Sequence, residues 1–142
     1  MVDPDVVLEK VASIRQCLRR IGQVTGLNSE RLENEDVRDI YVLNLQRAVQ
    51  SAIDLAGHVV SDEGLGLPSS LKETFSLLQG HGIVQEDLAK RMMAMVGFRN
   101  IAVHEYRALD LGILKSILTD HLDELEAFCQ AILSHCQLDG GG

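Results

Sequence analysis

The chain has 142 residues, of which 46% are hydrophobic and 24% charged, a length and balance that fit one globular domain and exclude a disordered or fibrous protein. Two prolines, no tryptophan and 4% aromatic residues favour helices and exclude an all-β sandwich. The formal net charge of −8 disfavours non-specific binding to nucleic acid or to an anionic membrane, so any contact with RNA has to be local.

The first predicted helix covers residues 4–24. Asp3 is a typical N-cap residue, and Pro4 is favoured at the first helical position. Apolar residues then recur every three or four positions, which is the spacing of one helix face. Gly26 is expected to end the helix.

A long second helix is predicted to start at Asn28 or Ser29 and to end at Gly64. Its apolar residues form two neighbouring stripes, which are Val37, Tyr41, Ala48, Ala52, Leu55 and Val59, and Val42, Leu45, Val49, Ile53, Ala56 and Val60. This apolar face is wider than one partner helix would cover. We therefore expect the helix to be central in the fold or to face another subunit.

Three further helices complete the prediction. They cover about 69–79, about 85–103, and a last segment that begins near Asp110 and carries an apolar stripe to Cys136. The sequence thus predicts an all-α, up-and-down bundle of about five helices. We expect a single domain over 1–139 and a flexible glycine tail at 140–142.

Several classes of protein are disfavoured by what the chain lacks. It has no apolar run of about 18 residues, as a membrane span requires, and its acidic N-terminus lacks the charge order of a signal peptide. Its three cysteines form no CxxC pair, and its histidines show no metal-binding spacing. We expect a cytoplasmic protein with core thiols, without a metal, another cofactor or a membrane partner.

Arg99 interrupts the apolar pattern of the fourth predicted helix. The inward positions are Leu88, Met92 and Met95, and the next one is this arginine. A guanidinium on a core-facing stripe needs a carboxylate, backbone carbonyls or a cleft open to an anion, because an unpaired buried charge costs several kcal/mol. One interpretation is an internal salt bridge to an acid on a neighbouring helix.

His104 favours a second interpretation, in which Arg99 belongs to a functional site. Asn100 and Tyr106 add two further polar groups to the same segment. In a continuous helix His104 would point about 140° away from Arg99. The two side chains therefore converge only if the helix breaks near Val103, which the polar residues after it favour.

The run MVGFRNIAVHEY, with its R-x4-H-x-Y core, strongly resembles the HepT-like branch of the HEPN superfamily. The resemblance implies a small all-α, metal-independent ribonuclease toxin that a minimal nucleotidyltransferase (MNT) antitoxin neutralises. It implies that Arg99 and His104 are catalytic, that Asn100 supports them and that the antitoxin modifies Tyr106 with AMP. A homodimer with two copies of the motif across one groove is also typical of the family.

The residue types fit this chemistry independently. RNA supplies its own nucleophile, the 2′-hydroxyl, so cleavage needs proton transfer and a cation for the charge on phosphorus. Histidine exchanges protons near neutral pH, and arginine offers paired donors to phosphate oxygens. The segment 90–115 carries five basic and two acidic residues, a net charge of +3, which leaves −11 for the rest of the chain.

A second hypothesis uses the same residues without catalysis. The chain would then be a helical module that binds a nucleotide or the nucleotidyltransferase and cleaves nothing. The sequence does not decide between the two.

Overall fold

The computed structural model of the protein describes residues 2–139, and the predicted glycine tail at 140–142 lies outside this range. Every regular element within it is helical, which confirms the all-α class. The helices are α1 (Pro4–Thr25), α2 (Glu35–Asp62), α3 (Leu71–Gly80), α4 (Glu86–His104), α5 (Leu111–Asp120) and α6 (Leu122–His135), with short 3-10 turns at Ser29–Glu33 and Tyr106–Ala108. None of these helices is long and apolar enough to cross a membrane.

The predicted bounds of α1 are confirmed by its caps. The Asp3 side chain accepts a hydrogen bond from the Asp5 backbone N–H at 2.9 Å, and Pro4 is the first helical residue. Gly26 ends the helix with a left-handed φ of 60°, a conformation that glycine adopts without steric cost.

The second helix starts later than predicted. Asn34, not Asn28, caps α2 by accepting a hydrogen bond from the Val37 backbone N–H at 3.1 Å. Asn28 instead caps the separate 3-10 turn at Ser29–Glu33. Both residues are good caps, so the sequence alone did not show that a separate 3-10 turn precedes α2.

The wide apolar face of α2 is buried within the chain. This helix packs against α1, α3, α4 and α6, and nearly all members of its two predicted stripes are buried. It lies antiparallel to α1, since Ser13 contacts Ser51 and Lys10 contacts Asp54. Of the two expectations for this helix, the central position is confirmed, and its apolar face is not free for another subunit.

The single C-terminal helix of the prediction is divided in two at His121. The backbone of His121 leaves the helical region, with a φ of −125°. Its carbonyl oxygen accepts a hydrogen bond from the Glu124 backbone N–H at 3.2 Å, and its ring Nδ1 lies 2.6 Å from Glu124 Oε1. The apolar stripe continues through the break from Leu118 to Leu125. Spacing alone therefore did not reveal the boundary between α5 and α6.

Tyr41 ties α2 to α5. Its ring is fully buried, and its hydroxyl donates to the Leu114 carbonyl at 3.0 Å. This contact fixes the first turns of α2 against the segment that follows the motif.

Candidate functional site

The motif lies at the C-terminal end of α4, and the helix is continuous through it. The break comes at Glu105, whose φ of −141° and ψ of 56° leave the helical region, one residue after His104. Five residues of continuous helix place the Arg99 and His104 side chains about 140° apart around the axis. The expectation that a break near Val103 lets them converge within one chain is therefore wrong.

Arg99 is half-buried and carries an uncompensated charge. Its Nη1 donates to Asn100 Oδ1 at 3.0 Å, and its Nε is buried without a hydrogen-bond partner. No carboxylate among residues 2–139 forms an ion pair with it, so the internal salt bridge considered from the sequence is wrong. A buried donor without a partner costs about 1–3 kcal/mol, so this arginine is not placed to stabilise the fold.

His104 is the last residue of α4 and is exposed. Its imidazole makes no hydrogen bond or ion pair with any other residue in the described part of the chain. The ring is thus exposed to solvent and is not held by any other described side chain.

Tyr106 begins the 3-10 turn that follows α4 and is 45% exposed. Its hydroxyl donates to Asp39 Oδ1 in α2. Partial burial, the hydrogen bond and the negative charge of Asp39 together raise the pKa of Tyr106 to about 12. The hydroxyl is therefore protonated at neutral pH while it remains open to a partner.

Arg38 and Asp39 lie beside Tyr106 and were not identified from the sequence. Arg38 lines a cavity of about 260 Å³ together with Tyr106, Arg107 and three leucines, and Asp39 accepts the hydrogen bond of the tyrosine hydroxyl. Arg38 and Asp39 precede the tyrosine by more than 60 residues and look like ordinary charged residues of an amphipathic helix. No spacing or motif connects them with the R-x4-H-x-Y run.

The basic segment 90–115 is less positive in the fold than in the sequence. Lys90 pairs with Glu86, Arg91 pairs with Asp87 and Glu124, and Lys115 pairs with Glu33. Only two of the segment's five cations, Arg99 and Arg107, make no ion pair within residues 2–139. Within this segment the unpaired cations thus precede His104 and follow Tyr106 in the chain.

Apolar side chains lie exposed beside the motif. Ile101 is 44% and Val103 41% exposed, both on α4 between Arg99 and His104. A groove of about 510 Å³ that includes Phe98, Ile101 and Ile113 adjoins them. Within residues 2–139, no group of three or more His, Cys, Asp or Glu side chains could hold a metal ion.

Comparison with known proteins identifies the family. The family model described as ribonuclease HepT-like matches residues 14–132, and the chain belongs to this family. The protein named mRNA nuclease HepT from Shewanella oneidensis is 37% identical over 128 residues, which are 90% of this chain and 96% of that protein. The resemblance inferred from the motif is thereby confirmed, together with the class of activity, a ribonuclease.

Solved structures of complexes agree in fold. The tri-AMPylated Shewanella oneidensis HEPN toxin, in complex with MNT antitoxin, is 34% identical and superposes with a TM-score of 0.87 over 93% of this chain and 99% of that chain. A crystal structure of a toxin–antitoxin with AMP-PNP contains a chain 35% identical to this one, with the same TM-score over 92% of this chain and 98% of that chain.

Proposed function

We propose that the chain, as a single HEPN-like domain over 1–139, is a metal-independent endoribonuclease toxin with Arg99 and His104 as catalytic residues. Asn100 orients the guanidinium, and Tyr106 is the residue to which a nucleotidyltransferase antitoxin attaches AMP. One observation carries the proposal. Arg99 is held by the Asn100 amide and pairs with no carboxylate among residues 2–139, so its charge is available to bind an anion.

The proposed reaction uses the substrate's own hydroxyl. The RNA 2′-oxygen attacks the adjacent phosphorus and loses its proton, while the 5′-oxygen leaves and gains one. The products are a 2′,3′-cyclic phosphate and a 5′-hydroxyl. His104 transfers protons, and Arg99 stabilises the negative charge that develops on the phosphoryl oxygens.

We propose that the active form is a homodimer. Because α4 is continuous, one chain presents Arg99 and His104 in different directions, and it supplies one motif histidine where cleavage needs both a proton acceptor and a donor. Two copies of α4 across a twofold axis would line one groove with both histidines. The exposed Ile101 and Val103 lie where such a contact would bury them.

We further propose that an MNT-type antitoxin is the protein partner, and that the toxin acts on RNA in the cytoplasm. The related toxin in the AMPylated complex supports this partnership. AMP on Tyr106 would place a negatively charged phosphate two residues after His104, beside the free Arg107. The phosphate would compete with the RNA backbone for the positive charge of this arginine, and the nucleoside would fill the groove proposed between the two copies of α4.

The test is incubation of the purified protein with total RNA in the presence of a metal chelator. We expect cleavage that leaves 2′,3′-cyclic phosphate ends and that His104→Ala abolishes. His81→Ala is the matched control, because it removes an exposed histidine at the end of another helix, α3. Activity that requires added magnesium would contradict the mechanism, and absence of cleavage would favour the non-catalytic binding module.

A further inference from the structure

Asp39 lies beside the hydroxyl that the antitoxin is proposed to modify. Its Oδ1 accepts the hydrogen bond of Tyr106, although the two residues are 67 positions apart in the chain. The carboxylate makes no ion pair within residues 2–139.

The position of Asp39 is fixed by the core. Two residues later on the same helix, the fully buried Tyr41 donates its hydroxyl to the Leu114 carbonyl. The first turns of α2 are thereby held against α5, which follows the Tyr106 turn directly. The carboxylate and the phenol are therefore presented to each other by the folded chain, before any partner binds.

A protonated phenol is a poor nucleophile, and the proton has to leave as the oxygen attacks. Tyr106 keeps its proton at neutral pH, as any tyrosine does, and its pKa, raised to about 12, makes the proton still harder to remove. The group that already accepts the hydroxyl hydrogen bond is the one placed to receive that proton. Asp39 meets this geometric requirement for a general base.

Two cations lie beside Tyr106. Arg38 and Arg107 line the cavity beside Tyr106. Arg38 is oriented by donating from Nη1 to the Leu32 carbonyl at 3.1 Å, and Arg107 has no partner among the described residues. Guanidinium groups stabilise negative charge on phosphoryl oxygens.

We propose that Asp39 is the general base for AMPylation of Tyr106, so that the toxin supplies a catalytic group for its own neutralisation. The Tyr106 oxygen attacks the α-phosphorus of ATP held by the antitoxin, and a new oxygen–phosphorus bond forms. The bond from the α-phosphorus to the bridging oxygen of the β-phosphate breaks, pyrophosphate leaves, and Asp39 takes the phenolic proton. This inference rests on the proposed modification of Tyr106.

Asp39→Asn separates proton transfer from positioning. The amide keeps the shape of the side chain and still accepts the tyrosine hydrogen bond, but it cannot take up the proton. With saturating antitoxin and ATP, we expect the first AMP to be added at least about 10²-fold more slowly than to wild type. Asp39→Glu, which restores a carboxylate, should recover part of the rate.

Glu35→Gln is the matched control. Glu35 is an exposed acid one turn earlier on α2 whose charge acts on Tyr106 but whose carboxylate does not contact the hydroxyl. The same loss of one negative charge should therefore leave the AMPylation rate near that of wild type.

The pH profile distinguishes a base from a structural contact. The charged groups facing Tyr106 are Glu35, Arg38 and Asp39 on α2 and Arg107 on its own turn. Asp39 raises the pKa of Tyr106, so its removal lets the phenolate form at lower pH. The rate deficit of Asp39→Asn should therefore shrink as pH rises, whereas a purely structural defect would persist at every pH.

The readout is intact mass of the toxin with time, with the modified residue located by peptide mapping. Wild type modified on Tyr106, with Asp39→Asn slow and rescued at high pH, supports the proposal. Equal rates for Asp39→Asn and wild type on Tyr106 would overturn it and leave the proposed function standing. A wild type that the antitoxin never modifies on Tyr106 would overturn both.

Discussion

Asn100 holds the guanidinium of Arg99 through a side-chain hydrogen bond of 3.0 Å between neighbouring residues of one helix. An amide oxygen orients a cation without neutralising it. The positive charge thus remains available to a phosphate. A carboxylate in the same place would have competed with the substrate for the same donors.

This arrangement predicts that Arg99→Lys is nearly as damaging as Arg99→Ala. Lysine is a point charge that cannot offer a bidentate fork to phosphate oxygens, so we expect both variants to lose about 10²-fold or more in kcat/KM. The melting temperature should stay close to that of wild type, since Arg99 makes no ion pair in the described fold. Near wild-type cleavage by Arg99→Lys would show that charge alone suffices.

The proposed shared groove predicts non-linear loss of activity in mixed dimers. When wild type and His104→Ala are mixed equally and allowed to exchange, random pairing leaves only about a quarter of dimers with both histidines. Activity should fall towards that fraction and not to half. A monomer by analytical ultracentrifugation that is fully active at the same concentration would contradict the shared groove.

Tyr106→Phe should separate cleavage from neutralisation. The hydroxyl has no required role in the proposed cleavage, so the variant should keep most of its ribonuclease activity. It should gain no AMP when incubated with antitoxin and ATP, and it should remain active after the antitoxin is removed. Wild type that is AMPylated yet still cleaves RNA would be inconsistent with inhibition by the added phosphate.

Tyr41→Phe tests the hydrogen bond that connects α2 to α5. The variant removes the buried donor to the Leu114 carbonyl, and a hydrogen bond of this kind contributes about 1 kcal/mol to stability. We expect the melting temperature to fall by about 3 °C, as measured by calorimetry or circular dichroism. Ile53→Val shortens a buried side chain of the same helix, and the fall in its melting temperature provides a reference for the fall caused by Tyr41→Phe. No measurable change would mean that the Tyr41 hydroxyl bond adds nothing to stability.

The fold class and most helix bounds could be predicted, because capping residues and apolar spacing within each segment determine them. The caps at Asp3 and Gly26 and the two stripes of α2 depend only on nearby residues. The break at His121 could not be predicted in this way, since the apolar spacing crosses it without a change in phase. It depends on how this histidine and Glu124 contact each other.

In the candidate site, too, features that depend on nearby residues could be predicted, and features that depend on contacts between distant residues could not. The R-x4-H-x-Y run identified the family and four candidate residues, because these lie within eight positions of one another. The contact of Asp39 with Tyr106 depends on packing between α2 and the turn after α4, and periodicity contains no information on which exposed acid of a helix meets a distant tyrosine. The continuity of α4 to His104 likewise followed from backbone geometry and not from the polarity of the next segment.

The helix α6 is synthesised after the five helices before it, yet it packs against α1, α2 and α4. Its Leu125, Phe128 and Ile132 are fully buried, so the core of the bundle stays open until they have left the ribosome. Domains generally fold as units during synthesis. A nascent chain that has already emerged as far as Arg99 and His104 therefore still lacks part of the packing that holds α4 in place, and the folded motif is completed only after α6 has been synthesised.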